Sequence, residues 1–118
     1  MKKILIIDGD ITILNFLKLK LSKEGFNVII SINGKEGLEK LISEKPDLLI
    51  TELNLLYLNG QVIISHAKKI NEKIKIIVLS AMSQETIIVE SFELGVDDFI
   101  SKPFSVLELI IRIKKQLQ

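Results

Sequence analysis

The spacing of apolar and polar positions changes period repeatedly along the chain. Ile4-Leu5-Ile6-Ile7 is an unbroken, mostly β-branched run, too short for a helix and stopped by Asp8-Gly9-Asp10. Such runs fit strands buried on both faces of a parallel sheet. The period becomes helical over residues 11–24, where Leu14, Leu17 and Leu21 share a stripe and Asn15, Lys18 and Ser22 lie off it. Asp10 is placed to cap this helix and Gly25 to stop it. Phe26–Ile30 reads as a second strand. Asn33, with Glu36 three residues on, has the spacing of a capping box. The helix it opens carries Leu38, Leu41 and Ile42, and Pro46 blocks its continuation.

Asp47–Glu52 reads as a third strand around Leu48-Leu49-Ile50, followed by a loop over 54–60 with an Asn59-Gly60 turn signal. Residues 61–71 place Ile63, Ala67 and Ile70 on one helical face. Ile74–Leu79 is the most strongly apolar strand, so it is expected at the centre of the sheet. Residues 84–94 form a helix ended by Gly95, with Val89 and Phe92 towards the core and Ile87 and Ile88 towards solvent. Phe99-Ile100 is a fifth strand and 104–117 a last amphipathic helix. Five successive β–α units predict a single α/β domain over residues 1–118: a (βα)5 doubly wound five-stranded parallel sheet with right-handed connections and helices on both faces.

Composition narrows the chemistry. At 47% apolar residues the chain can build one real core. The absence of cysteine excludes disulfides, thiolate metal sites and a cysteine nucleophile. His66 is the one histidine and reads as a surface or boundary residue of its helix rather than a ligand. Sixteen Lys and Arg against fifteen Asp and Glu give no bulk charge for direct nucleic-acid binding. No apolar run approaches the roughly 20 residues of a membrane span, and the stretch after Met1-Lys2-Lys3 stops at Asp8, too soon for a signal peptide. The expectation is a cytoplasmic domain with no membrane contact.

In doubly wound folds the site lies at the carboxyl ends of the strands. Those ends carry Asp8, Glu52, Ser80 and Lys102-Pro103. Carboxylates that hold a cation or act as nucleophile, with a hydroxyl and an ammonium for phosphate oxygens, suit phosphoryl chemistry. Singly, an Asp after a strand is often only a cap and a Lys-Pro only a turn. All four on strand ends of one small domain is a stronger signal.

These residues, with Glu24-Gly25-Phe26, Asn33-Gly34-Lys35-Glu36-Gly37-Leu38, Lys45-Pro46-Asp47, Val78-Leu79-Ser80-Ala81, Glu93-Leu94-Gly95-Val96-Asp97-Asp98-Phe99 and Ser101-Lys102-Pro103-Phe104, resemble the response-regulator receiver domains of two-component signalling. The resemblance covers essentially the whole chain. It implies a flavodoxin-like receiver fold, a sensor histidine kinase as partner, and Mg2+-dependent phosphorylation of an aspartate at the end of the third strand. It also implies Ser80 and Lys102 as phosphate-binding residues and Phe99 as an aromatic that changes rotamer. The chain departs from the family at Gly9, where a second acid is expected, at Glu52, where the acceptor aspartate is expected, and at Leu56, where proline is usual.

Glutamate carries its carboxylate one methylene further out, with an added rotor, and in-line attack tolerates little misplacement. A hard dication wants several oxygens and net negative charge. Asp8 and Glu52 against Lys102 leave less of that than the family's three acids, and Asp10 is engaged as a helix cap. The expectation is therefore an atypical, phosphorylation-independent pseudo-receiver that is not an enzyme. No cofactor is expected, and Mg2+ would be held weakly or not at all by Asp8, Glu52 and Asn54. Glu52 would either mimic the phosphorylated state in part, touching Lys102 and reaching Ser80, or simply pair with Lys102 and lock the domain.

The resemblance further implies an output face made by the fourth helix, fifth strand and fifth helix, directed to a second copy or to an effector domain. Asp97, Asp98, Glu108 and Arg112 would supply ion pairs there, with Ile87 and Ile88 adding apolar surface. The Asp98, Glu108 and Arg112 pattern resembles regulators that join a receiver to a winged-helix DNA-binding domain. Tyr57 and Leu58 fall in the loop above the site, as a shield or a cap on the core. One rival remains. Asp8-Gly9-Asp10-Ile11-Thr12 also resembles the D-x-D-x-T motif of haloacid-dehalogenase-type phosphatases, with Asp8 as nucleophile and Asp10 as acid/base. Against it, the Asp97-Asp98 pair precedes Lys102 rather than following it, a helix starts where a flap belongs, and 118 residues are few for that fold.

Overall fold

The computed structural model describes all 118 residues. Its elements alternate as β1 (Lys3–Ile7), α1 (Ile11–Lys23), β2 (Asn27–Ser31), α2 (Gly34–Glu44), β3 (Leu48–Thr51), α3 (Gly60–Ile70), β4 (Lys75–Ser80), α4 (Glu85–Glu93), β5 (Asp98–Ser101) and α5 (Val106–Gln116). The five strands form one parallel sheet in the order β2-β1-β3-β4-β5. The chain winds outward from β1 to β2, then returns past β1 to β3. That reversal parts the connections above β1 and β3, and ligand sites of open α/β sheets form there. The β1–β3 ladder runs beyond the strands proper: the Glu52 N–H donates to the Ile7 carbonyl at 3.0 Å.

β1, β3 and β4 are covered on both faces, so their residues divide alternately between two cores. Ile4 and Ile6 join Leu14, Leu17 and Leu21 of α1 and Leu109 and Ile113 of α5. Leu5 and Ile7 join Leu41 of α2 and Ile63, Ile64 and Ala67 of α3. Each fully buried Leu or Ile contributes about 1.5–3 kcal/mol relative to an exposed one. The middle strand is β3; the very apolar run expected there is β4, one place to its side, between β3 and β5.

Side-chain caps fix where the helices begin. Asp10 accepts from the Thr12 N–H at 2.9 Å, Asn33 from Glu36 at 2.8 Å, Asn59 from Val62 at 3.0 Å and Ser105 from Glu108 at 3.2 Å. Each satisfies a donor the helix leaves open. Gly25 ends α1 at φ +93°, a conformation that L side chains rarely adopt.

Two helix faces differ from the sequence expectation. Ile63, Ile64 and Ala67 are the buried stripe of α3, whereas Ile70, its last residue, is exposed where the helix leaves the sheet. The rotation of α4 is reversed: Ile87 and Leu94 pack on the second core while Val89 and Phe92 are 48% and 46% exposed. The buried residue between Ile87 and Leu94 is Ser91, whose hydroxyl donates to the Ile87 carbonyl at 2.8 Å. A serine satisfied within its own helix can sit in a core stripe, which disguises the stripe in a hydropathy pattern.

Candidate functional site

Asp8, directly after β1, is 4% exposed; its Oδ1 accepts from the Asp10 N–H at 2.9 Å. Glu52 directly follows β3, and its Oε1 accepts from the Leu53 N–H at 2.8 Å. Lys102 follows β5, on the cis side of the Lys102–Pro103 peptide. Its Nζ donates to Asp8 Oδ2 at 2.7 Å and lies 3.0 Å from Glu52 Oε2. One ammonium thus spans the two carboxylates across the switch point. The Ala81 N–H approaches the same Glu52 Oε2 at 3.4 Å. Ser80, wholly buried at the end of β4, has its hydroxyl beside the Glu52 carboxylate and accepts from the Met82 N–H at 2.9 Å.

Burial pushes the Glu52 carboxyl up, but hydrogen bonds from Ser80, Lys102 and the Leu53 amide, with the Lys102 charge, outweigh it and hold it below its ordinary value of 4.5. Burial likewise pulls Lys102 down, and bonding to Asp8 and Glu52 more than reverses this, so it lies above its ordinary 10.5. Glu52 and Lys102 are both charged at neutral pH.

The four strand-end residues come together as the sequence indicates. Asn54 lies exposed in the loop after Glu52, and Phe99 is half-buried against the second core. The Asp10 carboxylate turns to its own helix, away from Lys102, and no group of three or more acids or imidazoles assembles. What the sequence did not reveal is the Asp8–Lys102 contact, shorter than that to Glu52. The available signal was Gly9, which leaves Asp8 the one acid directly after β1 and Lys102 its nearby cation. The amide donors of Leu53 and Ala81 carry no sequence signal at all.

On the expected output face, Arg112 donates through Nη1 to Asp98 and through Nη2 to Glu108, each at 2.7 Å. Asp97 takes no part. Its carboxylate accepts from the Ile76 N–H at 2.8 Å while its own N–H donates to the Ile76 carbonyl, so it fastens the approach to β5 onto β4. Ile87 and Ile88 are half-buried; Val89 and Phe92 supply the exposed apolar surface of α4. His66 is exposed. Tyr57 is 76% exposed at φ +72°, whereas Leu58 packs on the second core and caps it.

A doubly wound sheet with its charged cluster at the switch point defines a flavodoxin-like domain with a strand-end site. The model of the response regulator receiver domain matches residues 4–114, and the chain belongs to that family, the receivers of two-component signalling. It is 35% identical over 117 residues to the alkaline phosphatase synthesis transcriptional regulatory protein PhoP of Bacillus subtilis, covering 99% of this chain and 49% of that one. It is 36% identical over 118 residues to the response regulator ArlR of Staphylococcus saprophyticus, covering 100% and 53%. The chain spans about half the length of the curated relatives it matches. The CheY-like receiver domain protein of Methanospirillum hungatei superposes with a TM-score of 0.95 at 32% identity, covering 99% of this chain and 94% of that one. A two-component response regulator from Clostridium difficile gives 0.94 at 27%, covering 99% and 96%. The phosphatase reading is not supported: the family is the receiver, and Asp10 caps a helix that starts at Ile11, leaving no flap. No helix is long and apolar enough to cross a membrane.

Proposed function

We propose that this domain is an atypical, phosphorylation-independent receiver in which Glu52 stands in for a phosphoryl group. One observation carries the reading: the Glu52 carboxylate already lies 3.0 Å from the Lys102 ammonium and 3.4 Å from the Ala81 amide, just past the end of β3, the strand beside the one that ends on Ser80. Those are the donors a phosphoryl group on the third strand would meet. The donor set does not fit Mg2+. All four oxygens of Asp8 and Glu52 have partners, two of them the Lys102 ammonium, and a hard dication would have to displace that charge. The state is passed on through α4, β5 and α5, where Val89 and Phe92 offer apolar surface to a second copy or an effector domain. The name of one relative, a transcriptional regulatory protein, supports an effector that regulates transcription.

The test is intact-mass analysis and site mapping after incubation with Mg2+ and acetyl phosphate. Wild type should gain no adduct. Glu52→Asp combined with Gly9→Asp should be phosphorylated at position 52; a side chain at Gly9 has open space, with nothing within 4 Å of its Cβ. A stable adduct on Glu52 refutes the reading, and one on Asp8 would restore the phosphatase.

A further inference from the structure

Asn-Gly is the dipeptide most prone to deamidation, because glycine presents an unhindered backbone nitrogen to the preceding side-chain amide. The chain has two, Asn33-Gly34 and Asn59-Gly60. They occupy equivalent places, with each asparagine capping a helix and each glycine buried as that helix's first residue. The capping bonds, from Glu36 N–H at 2.8 Å and Val62 N–H at 3.0 Å, fall on the asparagine Oδ1. They polarise the Cγ carbonyl in the sense that favours attack, as donors to a developing oxyanion do.

The nucleophile is what is withheld. The Gly34 N–H donates to the Leu56 carbonyl at 3.0 Å and the Gly60 N–H to the Leu53 carbonyl at 2.8 Å. Both acceptors belong to the β3–α3 connection, residues 53–59. The same segment packs on both glycines, with the Leu58 carbonyl against Gly34 and the Leu53 Cα against Gly60. Each asparagine is held extended, at ψ 169° and 165°.

We propose that Asn33 and Asn59 are two deamidation sites closed by one latch, the β3–α3 loop, and that opening this loop exposes both. In the opened chain the glycine nitrogen gives its proton to solvent and bonds to the asparagine Cγ. The Cγ–NH2 bond breaks and ammonia leaves with a proton regained from water. A second water opens the resulting succinimide to aspartate or isoaspartate. No oxidant or reductant takes part. Aspartate keeps a capping oxygen, while isoaspartate inserts a carbon into the backbone and loses the cap. Each event removes one unit from a net charge of +1.

The experiment is peptide mapping of wild type, Leu58→Ala and Ile110→Ala after incubation in warm, mildly alkaline buffer, with the urea-unfolded chain as reference. Leu58 anchors the loop to the second core, and Ile110 packs on the opposite one. Folded wild type should deamidate far more slowly than the unfolded chain at both asparagines. Leu58→Ala should speed both together, by about tenfold for each 1.4 kcal/mol lost from loop closure, and Ile110→Ala should speed them less. Equal rates in folded and unfolded chains would overturn the proposal, as would acceleration of one site alone. If Leu58→Ala does not fold, hydrogen exchange of the wild-type Gly34 and Gly60 amides decides: a shared latch gives them matching protection, and clearly different protection overturns it.

Discussion

Lys102→Met removes the one charge that joins the two strand-end carboxylates. Methionine keeps most of the stem, so packing is largely spared. Asp8 and Glu52 would then face each other with their Oδ2 and Oε2 atoms under about 6 Å apart, the limit set by contacts of 2.7 and 3.0 Å to one nitrogen. Removing one partner from a buried ionic cluster costs about 3–5 kcal/mol. The Lys102 side chain is 17% exposed, so the lower end applies, about 3 kcal/mol. For a domain of this size that is roughly a 10 °C fall in Tm. The loss depends on pH, because two close carboxylates relieve their repulsion when one takes up a proton. Urea denaturation at neutral and mildly acidic pH should show the variant's deficit shrinking on acidification. Adding Glu52→Gln should recover most of the neutral-pH loss, whereas Glu52→Gln alone should cost only about 1 kcal/mol. A Lys102→Met protein as stable as wild type at neutral pH, or a deficit that does not change with pH, would refute the claim that these carboxylates depend on Lys102.

Two further outcomes follow from the same geometry. Glu52 is held below its ordinary value of 4.5, so its contribution is complete above that pH and is lost as pH falls through the folded value. Lys102 is held above 10.5, so its contribution is complete below that pH and is lost as pH rises through the folded value. Thermal melts should therefore show no loss from this pair between these limits and a drop beyond each, and Glu52→Gln should flatten the acid limb. On α4, Phe92→Lys should leave stability within about 0.5 kcal/mol, and any self-association that wild type shows in analytical ultracentrifugation should weaken with it. Ile87→Ala should cost about 1–3 kcal/mol; the opposite ranking in stability would mean the helix is turned the other way.

The architecture was legible because β1, β3 and β4 are covered on both faces and so read as unbroken apolar runs, and because Asp10, Asn33 and Asn59 mark helix starts with their own side chains. The strand-end residues were legible once the parallel order was, since that topology decides which positions meet. Rotation of short helices was not. α4 shows its core stripe as Ile87, Ser91 and Leu94, and a back-bonded serine breaks the hydropathy period. Sequence gives charge without direction, so Asp97 looks like an output-face acid, whereas its carboxylate is consumed by the backbone of Ile76. Position 52 could be identified from sequence, but its amide donors could not.

The Arg112 fork has a consequence for whatever meets α4, β5 and α5. Both arms of the guanidinium are already occupied inside the protomer. Its charge is already shared by two acids, so an acid from outside gains less from the remaining N–H donors than it would from a free guanidinium. Attraction across this face then falls to Val89 and Phe92. Any salt dependence of association then comes from the exposed Glu85, Glu90 and Glu93 of α4 rather than from Arg112.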